Sequence, residues 1–216
     1  LIWEQYGKMM STVAMFSFPL MALLGVYARE CILIVYGHQW MEVVPLFRTL
    51  CFLGAVQSVA SIAGPVYFAT GKTGLLFKIG LASKTLMISG IVAGLYFGQL
   101  KGMVWGYVFS STLASLIESY FVSHTLVHTL KSYFKNILAE CFAASILLLI
   151  LIFAYLLYSS SGNSLSYSFI TFHLFAALLA LVCYVYLLRT MQSKGYLILK
   201  NHWYDKRKKN TSSHAR

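Results

Sequence analysis

Residues 141–158 read CFAASILLLILIFAYLLY, eighteen consecutive positions without one charged side chain. A helix rises 1.5 Å per residue, so about 20 apolar residues cross the ~30 Å hydrocarbon core of a bilayer. With its flanks, about 137–158, the run therefore reads as a transmembrane helix. Outward from it, the same reading applies to about 9–27, 43–68, 75–97, 103–126 and 167–188. The whole chain of 216 residues is 59% hydrophobic and only 11% charged. A water-soluble domain carries roughly 25% charged residues, more than this chain has to cover itself. The expected fold is all-α, a polytopic transmembrane helical bundle of about six helices.

The pieces between the spans are short and punctuated. Thr70-Gly71-Lys72-Thr73-Gly74, Gly98-Gln99-Leu100-Lys101-Gly102 and Ser159 to Ser164 leave room only for antiparallel neighbours. Ala28 to Tyr36, with Arg29 and Glu30, reads as an interfacial helix ending at Gly37, with Tyr36 and Trp40 at headgroup level. Basic residues set orientation. One side has Lys8, Lys72, Lys78, Lys131, Lys135 and a basic tail over 190–216; the other has Arg29, Lys101 and Arg48. Both ends of the chain are expected in the cytoplasm. The net charge of +11 belongs to this bias, since eight of the 17 Lys and Arg lie from Arg189 onward. It does not point to nucleic acid. Cys31, Cys51, Cys141 and Cys183 are scattered without metal-ligand spacing, so neither a disulfide framework nor a metal site is expected, and no cofactor. The chain opens on Leu1 with no signal-peptide pattern, and is expected to continue a longer one.

Charged groups at membrane depth cost about 2.5–3.5 kcal/mol each on insertion scales. Lys84 falls roughly 14 Å into its span and Glu118 roughly 12 Å from the matching end of the next. Antiparallel neighbours would then hold them at one depth, as a pair or facing one wet cavity; snorkelling to the headgroups is the plainer alternative. Ser111, Ala114, Ser115 and Glu118 share a helix face. In the second span Gly54, Gln57, Ser58, Ser61, Gly64 and Pro65 recur at helical spacing, either as a small-residue packing face or as a polar cavity wall. Arg48 lies near the outer surface, within reach of phosphate headgroups. Glu140 sits in the first turn of its span, where the helix dipole favours a carboxylate, and reads as structural. His173 is a lone imidazole, more often an interface residue than a proton relay.

Other signals carry little. Gly71-Lys72-Thr73 mimics the end of a phosphate-binding loop, but position 66 is Val and a membrane span precedes it. Asn210-Thr211-Ser212 is a sequon in a tail expected in the cytoplasm, and Lys206-Arg207-Lys208-Lys209 suits anionic lipid. Paired carboxylates and nucleophile arrangements are absent, so no enzyme chemistry is visible.

Val35-Tyr36-Gly37-His38-Gln39-Trp40 followed by Val44-Pro45-Leu46-Phe47-Arg48 resembles a hallmark of bacterial polysaccharide transporters. Ala69-Thr70-Gly71-Lys72-Thr73 and Lys101-Gly102-Met103-Val104-Trp105-Gly106-Tyr107 are similar to further segments of that family, in the same order. The resemblance covers roughly the first 135 residues. It is to the lipid-linked oligosaccharide flippases of the multidrug/oligosaccharidyl-lipid/polysaccharide exporter superfamily. It implies one lobe, the C-terminal one, of a two-lobed exporter whose N-terminal lobe is missing here. It further implies a bacterial inner-membrane protein flipping undecaprenyl-pyrophosphate-linked glycan by alternating access, with Lys84, Glu118, Gln57, Ser58 and Arg48 as candidates to line its cavity. A multidrug exporter of the same superfamily would favour acidic cavity residues. An oligosaccharide polymerase would need a sizeable charged outer loop. Glu118 is the only mid-membrane carboxylate, which disfavours the first, and the outer loops are short, with no charge over Ser159 to Ser164, which disfavours the second.

Overall fold

A computed structural model of the chain describes residues 2–126, 134–135, 137–159, 167–191, 193 and 196–198. Among these every element is helical and there is no strand, as the apolar runs require: in lipid each backbone N–H and C=O must be satisfied within its own segment. The link over 160–166, the side chain of His173 and most of the expected tail over 190–216 lie outside the described residues.

Helix α1 (Ile2–Val26) runs through Pro19 without ending, and α2 (Ala28–Tyr36) follows after one turn residue, Tyr27. Gly37 stops α2 with φ 86° and ψ 177°, its N–H donating to the carbonyls of Ile32 and Leu33. A single 3-10 stretch, His38–Val43, then turns the chain into α3 (Val44–Ala60). Pro45 stands at the start of α3, where its missing N–H costs nothing. Tyr36 and Trp40 remain exposed at this corner with ring centroids 6.2 Å apart.

The span expected as one helix over 43–68 is broken. A turn at Ser61 and Ile62 separates α3 from α4 (Ala63–Ala69), placing Pro65 in the first turn of α4. In an unbroken helix Pro65 could not donate to the carbonyl of Ser61 and its ring would crowd that carbonyl, so the chain restarts instead.

The helical stretch Thr73–Thr125 contains non-helical backbone at Gly98 (φ −146°, ψ 21°) and Gln99 (φ 49°, ψ −138°). It is a hairpin, whose arms over 73–97 and 100–125 are α5 and α6. The backbones meet: a side chain at Gly94 would strike the Gly102 carbonyl, and one at Gly106 the Gly90 carbonyl. Only glycine permits that approach, which substitutes backbone contact for side-chain packing.

Helices α7 (Leu138–Ser159) and α8 (Tyr167–Thr190) complete the bundle. Helix α1 is its axis. Tyr6, Met10 and Ala14 pack with Val59, Tyr67 and Val122 on one side. Met15 and Val26 pack with Leu147, Leu151 and Tyr184 on the other. The Tyr184 hydroxyl donates to the Met15 carbonyl at 3.1 Å, tying α8 to α1. The outer surface is apolar, with Phe77, Ile88, Phe109, Leu149 and Phe153 more than 60% exposed, as a lipid-facing surface is.

Candidate functional site

Arg48 lies on α3 one turn from its start, exposed and at the end of the bundle where α1 finishes and α2 begins. Among the described residues the ion pair is Lys8 with Glu4, at 2.8 Å, and no carboxylate pairs with Arg48. From its position a cavity of about 790 Å³ runs between α1, α3, α6 and α7. On α3 the lining residues Arg48, Cys51, Phe52, Ala55, Val56 and Val59 follow helical spacing. Across the gap α7 contributes Cys141, Ala144, Ser145, Leu148, Ile152 and Tyr155. Gly25 and Met21 of α1 form the floor near Cys51 and Gly54.

The polar atoms on these walls are mostly spent. Ser115 and Ser119 of α6 donate their hydroxyl protons to the carbonyls of Ser111 and Ser115, at 2.9 and 2.7 Å. Ser145 of α7 donates to the Cys141 carbonyl at 2.8 Å. With their protons back-bonded, these serines behave toward an occupant as small, nearly apolar residues. At the Arg48 end Tyr155 is held from behind, its hydroxyl 3.4 Å from Glu30 Oε1 on α2 and its ring edge-on to Tyr27. Burial pushes the Cys31 thiol of α2 up, and the neighbouring Glu30 carboxylate adds to the shift.

The other residues expected in a cavity go elsewhere. Gln57 Nε2 makes a long 3.5 Å contact with the Tyr107 hydroxyl, joining α3 to α6. Ser58 Oγ is 2.8 Å from Ser17 Oγ, joining α3 to α1. Both are half-buried and neither lines the cleft, so the polar face of the second span is used in helix packing.

Lys84 and Glu118 do not form an ion pair. Lys84 is exposed on α5, with Met87 Sδ 4.0 Å from its ammonium, while half-buried Glu118 lies within electrostatic reach of Tyr67. The reason is register. The contacts of Gly90 with Gly106 and Gly94 with Gly102 set Lys84 level with Thr112 and Glu118 level with Lys78. Lys84 and Glu118 are thus about 9 Å apart along the hairpin axis. Counting 98–102 as the link put them at one depth. The turn is only Gly98-Gln99, which slides the arms by about one helical turn.

The structural role read for Glu140 takes a specific form, and the α7 wall of the cleft escaped sequence reasoning. Glu140 is fully buried and accepts a hydrogen bond from Ser11, joining α7 to α1. The α7 wall of the cleft carried a faint signal: Cys141, Ala144 and Ser145 are small residues at i, i+3 and i+4 in an otherwise Leu-rich helix.

Comparison with known proteins follows the same line. A family described as "Polysaccharide biosynthesis protein" matches residues 2–45, which takes in the Tyr36–Trp40 corner and Pro45. The chain is 28% identical over 89 residues to the lipopolysaccharide biosynthesis protein WzxC of Escherichia coli (strain K12), covering 41% of this chain and 18% of that protein. It is 25% identical over 83 residues to an uncharacterized membrane protein in the cps region of Klebsiella pneumoniae, covering 38% and 17%. The matched stretches thus span less than a fifth of the length of these relatives. No solved structure matches. The resemblance read from the sequence is borne out, and the chain is a multi-pass membrane protein similar to membrane proteins of polysaccharide biosynthesis.

Proposed function

We propose that this protein translocates a lipid-linked oligosaccharide across the bacterial inner membrane for surface polysaccharide assembly, by alternating access. The similarity to WzxC carries this reading. The bundle supports it: an apolar exterior surrounds a cleft whose walls suit hydrocarbon and whose end bears a guanidinium that no carboxylate pairs with among the described residues. A cargo with a long hydrocarbon, an anionic linkage and a hydrophilic head needs each of these separately. The cargo on this reading is an undecaprenyl-pyrophosphate-linked glycan.

The sugars would be carried outside the cleft, in a wet cavity completed by a second lobe of the same protein. Lys84 supports that division, because it stands exposed at membrane depth on α5 with the Met87 thioether 4.0 Å from its ammonium. An ammonium left to lipid there costs about 2.5–3.5 kcal/mol, which a wet, anionic cavity relieves. The orientation belongs to the proposal too. The end of the bundle bearing Lys72 and Lys78 faces the cytoplasm, and the end bearing Arg29, Arg48 and Lys101 faces outward.

The test is expression of the protein in a strain lacking its lipid-linked-oligosaccharide flippase. Restored surface polysaccharide is the expected result. Continued accumulation of cytoplasm-facing lipid-linked glycan, with the protein present in the membrane at normal level, would overturn the reading.

A further inference from the structure

We infer that the pocket between the first half of α1 and residues 196–198, at the end of the bundle away from Arg48, seats an anionic phospholipid of the cytoplasmic leaflet. The site is separate from the cleft between α3 and α7 and involves no transport. Only the naming of the leaflet rests on the orientation proposed above.

Three observations carry it. The first is a built wall. Beyond α8 the chain turns at Ser193, which is buried. The Ser193 N–H donates to the Leu188 carbonyl at 3.1 Å, its Oγ accepts from the Tyr196 N–H at 3.1 Å, and its carbonyl accepts from the Leu197 N–H at 3.1 Å. Tyr196 packs into the cluster that holds Met15, Tyr184 and Leu188. Ile198 is thereby set against α1, where it closes a pocket of about 510 Å³ with Gln5, Lys8, Met9, Thr12 and Val13.

The second is shape. The five α1 residues follow i, i+3, i+4, i+7 and i+8, and so share one face. That face continues as an apolar stripe through Phe16 and Leu20, which like Met9 are more than half exposed. From Met9 to Leu20 the stripe measures about 16 Å, against the ~15 Å that one leaflet contributes to the hydrocarbon core. The pocket therefore lies where a headgroup meets its acyl chains, with one leaflet's depth of apolar helix leading away from it.

The third is charge. Tyr6 of α1 packs in one cluster with Tyr67 and Ile79, which puts Lys8 at the same end of the bundle as Lys72 and Lys78. Lys8 is 2.8 Å from Glu4, an exposed pair across one helical turn. Such a pair is worth little in water, so the ammonium is available to a phosphate. The Gln5 amide on the same wall adds donors, while the Thr12 hydroxyl is spent on the Lys8 carbonyl at 2.9 Å. From Ile198 the chain reaches Lys200 within at most about 7 Å. From Arg189 to the end of the sequence, eight basic residues stand against one acid, Asp205. The cytoplasmic leaflet is the anionic one, so charge and side agree. A lipid seated here would bridge the start of α1 to the segment after α8.

The experiment measures binding of phosphatidylglycerol to the delipidated, detergent-solubilised protein by native mass spectrometry. Phosphatidylcholine with the same acyl chains is the zwitterionic reference, and glycerol 3-phosphate is the competitor without chains. Phosphatidylglycerol should bind at least fivefold more tightly than phosphatidylcholine and should raise Tm. Lys8→Gln and Lys200→Gln should each weaken it about fivefold, the contribution of one lysine beside an anionic headgroup. Val13→Trp, which fills the pocket, should abolish the preference, whereas Lys101→Gln at the other end of the bundle should leave it unchanged. Retained helicity and a monodisperse elution profile show that these variants fold. A preference that survives Val13→Trp and Lys8→Gln would overturn the site. Loss only on replacing Lys206, Arg207, Lys208 and Lys209 together by Gln would also overturn it, in favour of the tail alone. Equal binding of phosphatidylcholine would make the occupant ordinary boundary lipid, and full competition by glycerol 3-phosphate would reduce the site to a free-anion contact. Because neither transport nor sidedness is measured, specific binding by a protein that fails the complementation above would retain the site and discard flipping. Complementation without this preference would do the reverse.

Discussion

Gly37 holds a backbone conformation that only glycine adopts without strain, and a side chain there would meet no neighbour within 4 Å. Its replacement therefore reports on the backbone alone. Gly37→Ala should cost about 1–3 kcal/mol of stability, read as a lowered Tm in detergent. Gln99 is the opposite case. It sits at φ 49° and ψ −138°, at the tip of the hairpin, where a turn of this hand asks for glycine. Gln99→Gly should stabilise the protein by about 1 kcal/mol in the same assay. At the α1–α7 contact, Ser11→Ala removes a donor from a fully buried carboxylate and should cost about 1–3 kcal/mol, although neither helix changes its apolar surface.

At the scale of elements, the α5–α6 hairpin decides which side chains meet. Its register places Lys84 and Glu118 one to two turns apart, so the two charges act independently. Reversing both, Lys84→Glu with Glu118→Lys, should give a change in stability equal to that of the two single reversals within about 0.5 kcal/mol. Rescue by the double variant would show that the arms slide from this register in the membrane. The same hairpin exposes most of α5, where Ile79 and Ser83 are the buried positions. An arm so bare needs lipid or another lobe against it, in keeping with the two-lobed exporter proposed. The broken second span has a local cause as well, since Pro65 forces the restart of α4 and frees the chain to turn at Ser61 and Ile62.

At the scale of the whole molecule, the distribution of basic residues predicts its orientation. In a background with the four native cysteines replaced by serine, Lys101→Cys should react with a membrane-impermeant maleimide in intact cells. Lys72→Cys should react only after the inner membrane is permeabilised. The reverse pattern would invert the topology, and with it the placement of Arg48 on the outward face.

The apolar runs by themselves determined that the chain is an all-α membrane bundle. The helix over 28–36, its stop at Gly37 and the start of the next helix at Val44 were all legible, because glycine, proline and apolar run length act locally along the chain. Of the candidate residues, Arg48 lines the cleft, Gln57 and Ser58 contact Tyr107 and Ser17, and Lys84 and Glu118 stand apart. The α7 wall, the Ser11–Glu140 bond and the spent hydroxyls of α6 appeared only in three dimensions. Hydropathy tells a helix to enter lipid but leaves its rotation and height undetermined. Those were decided by a two-residue turn and four glycines, which let backbones touch and so set which faces enclose the cleft.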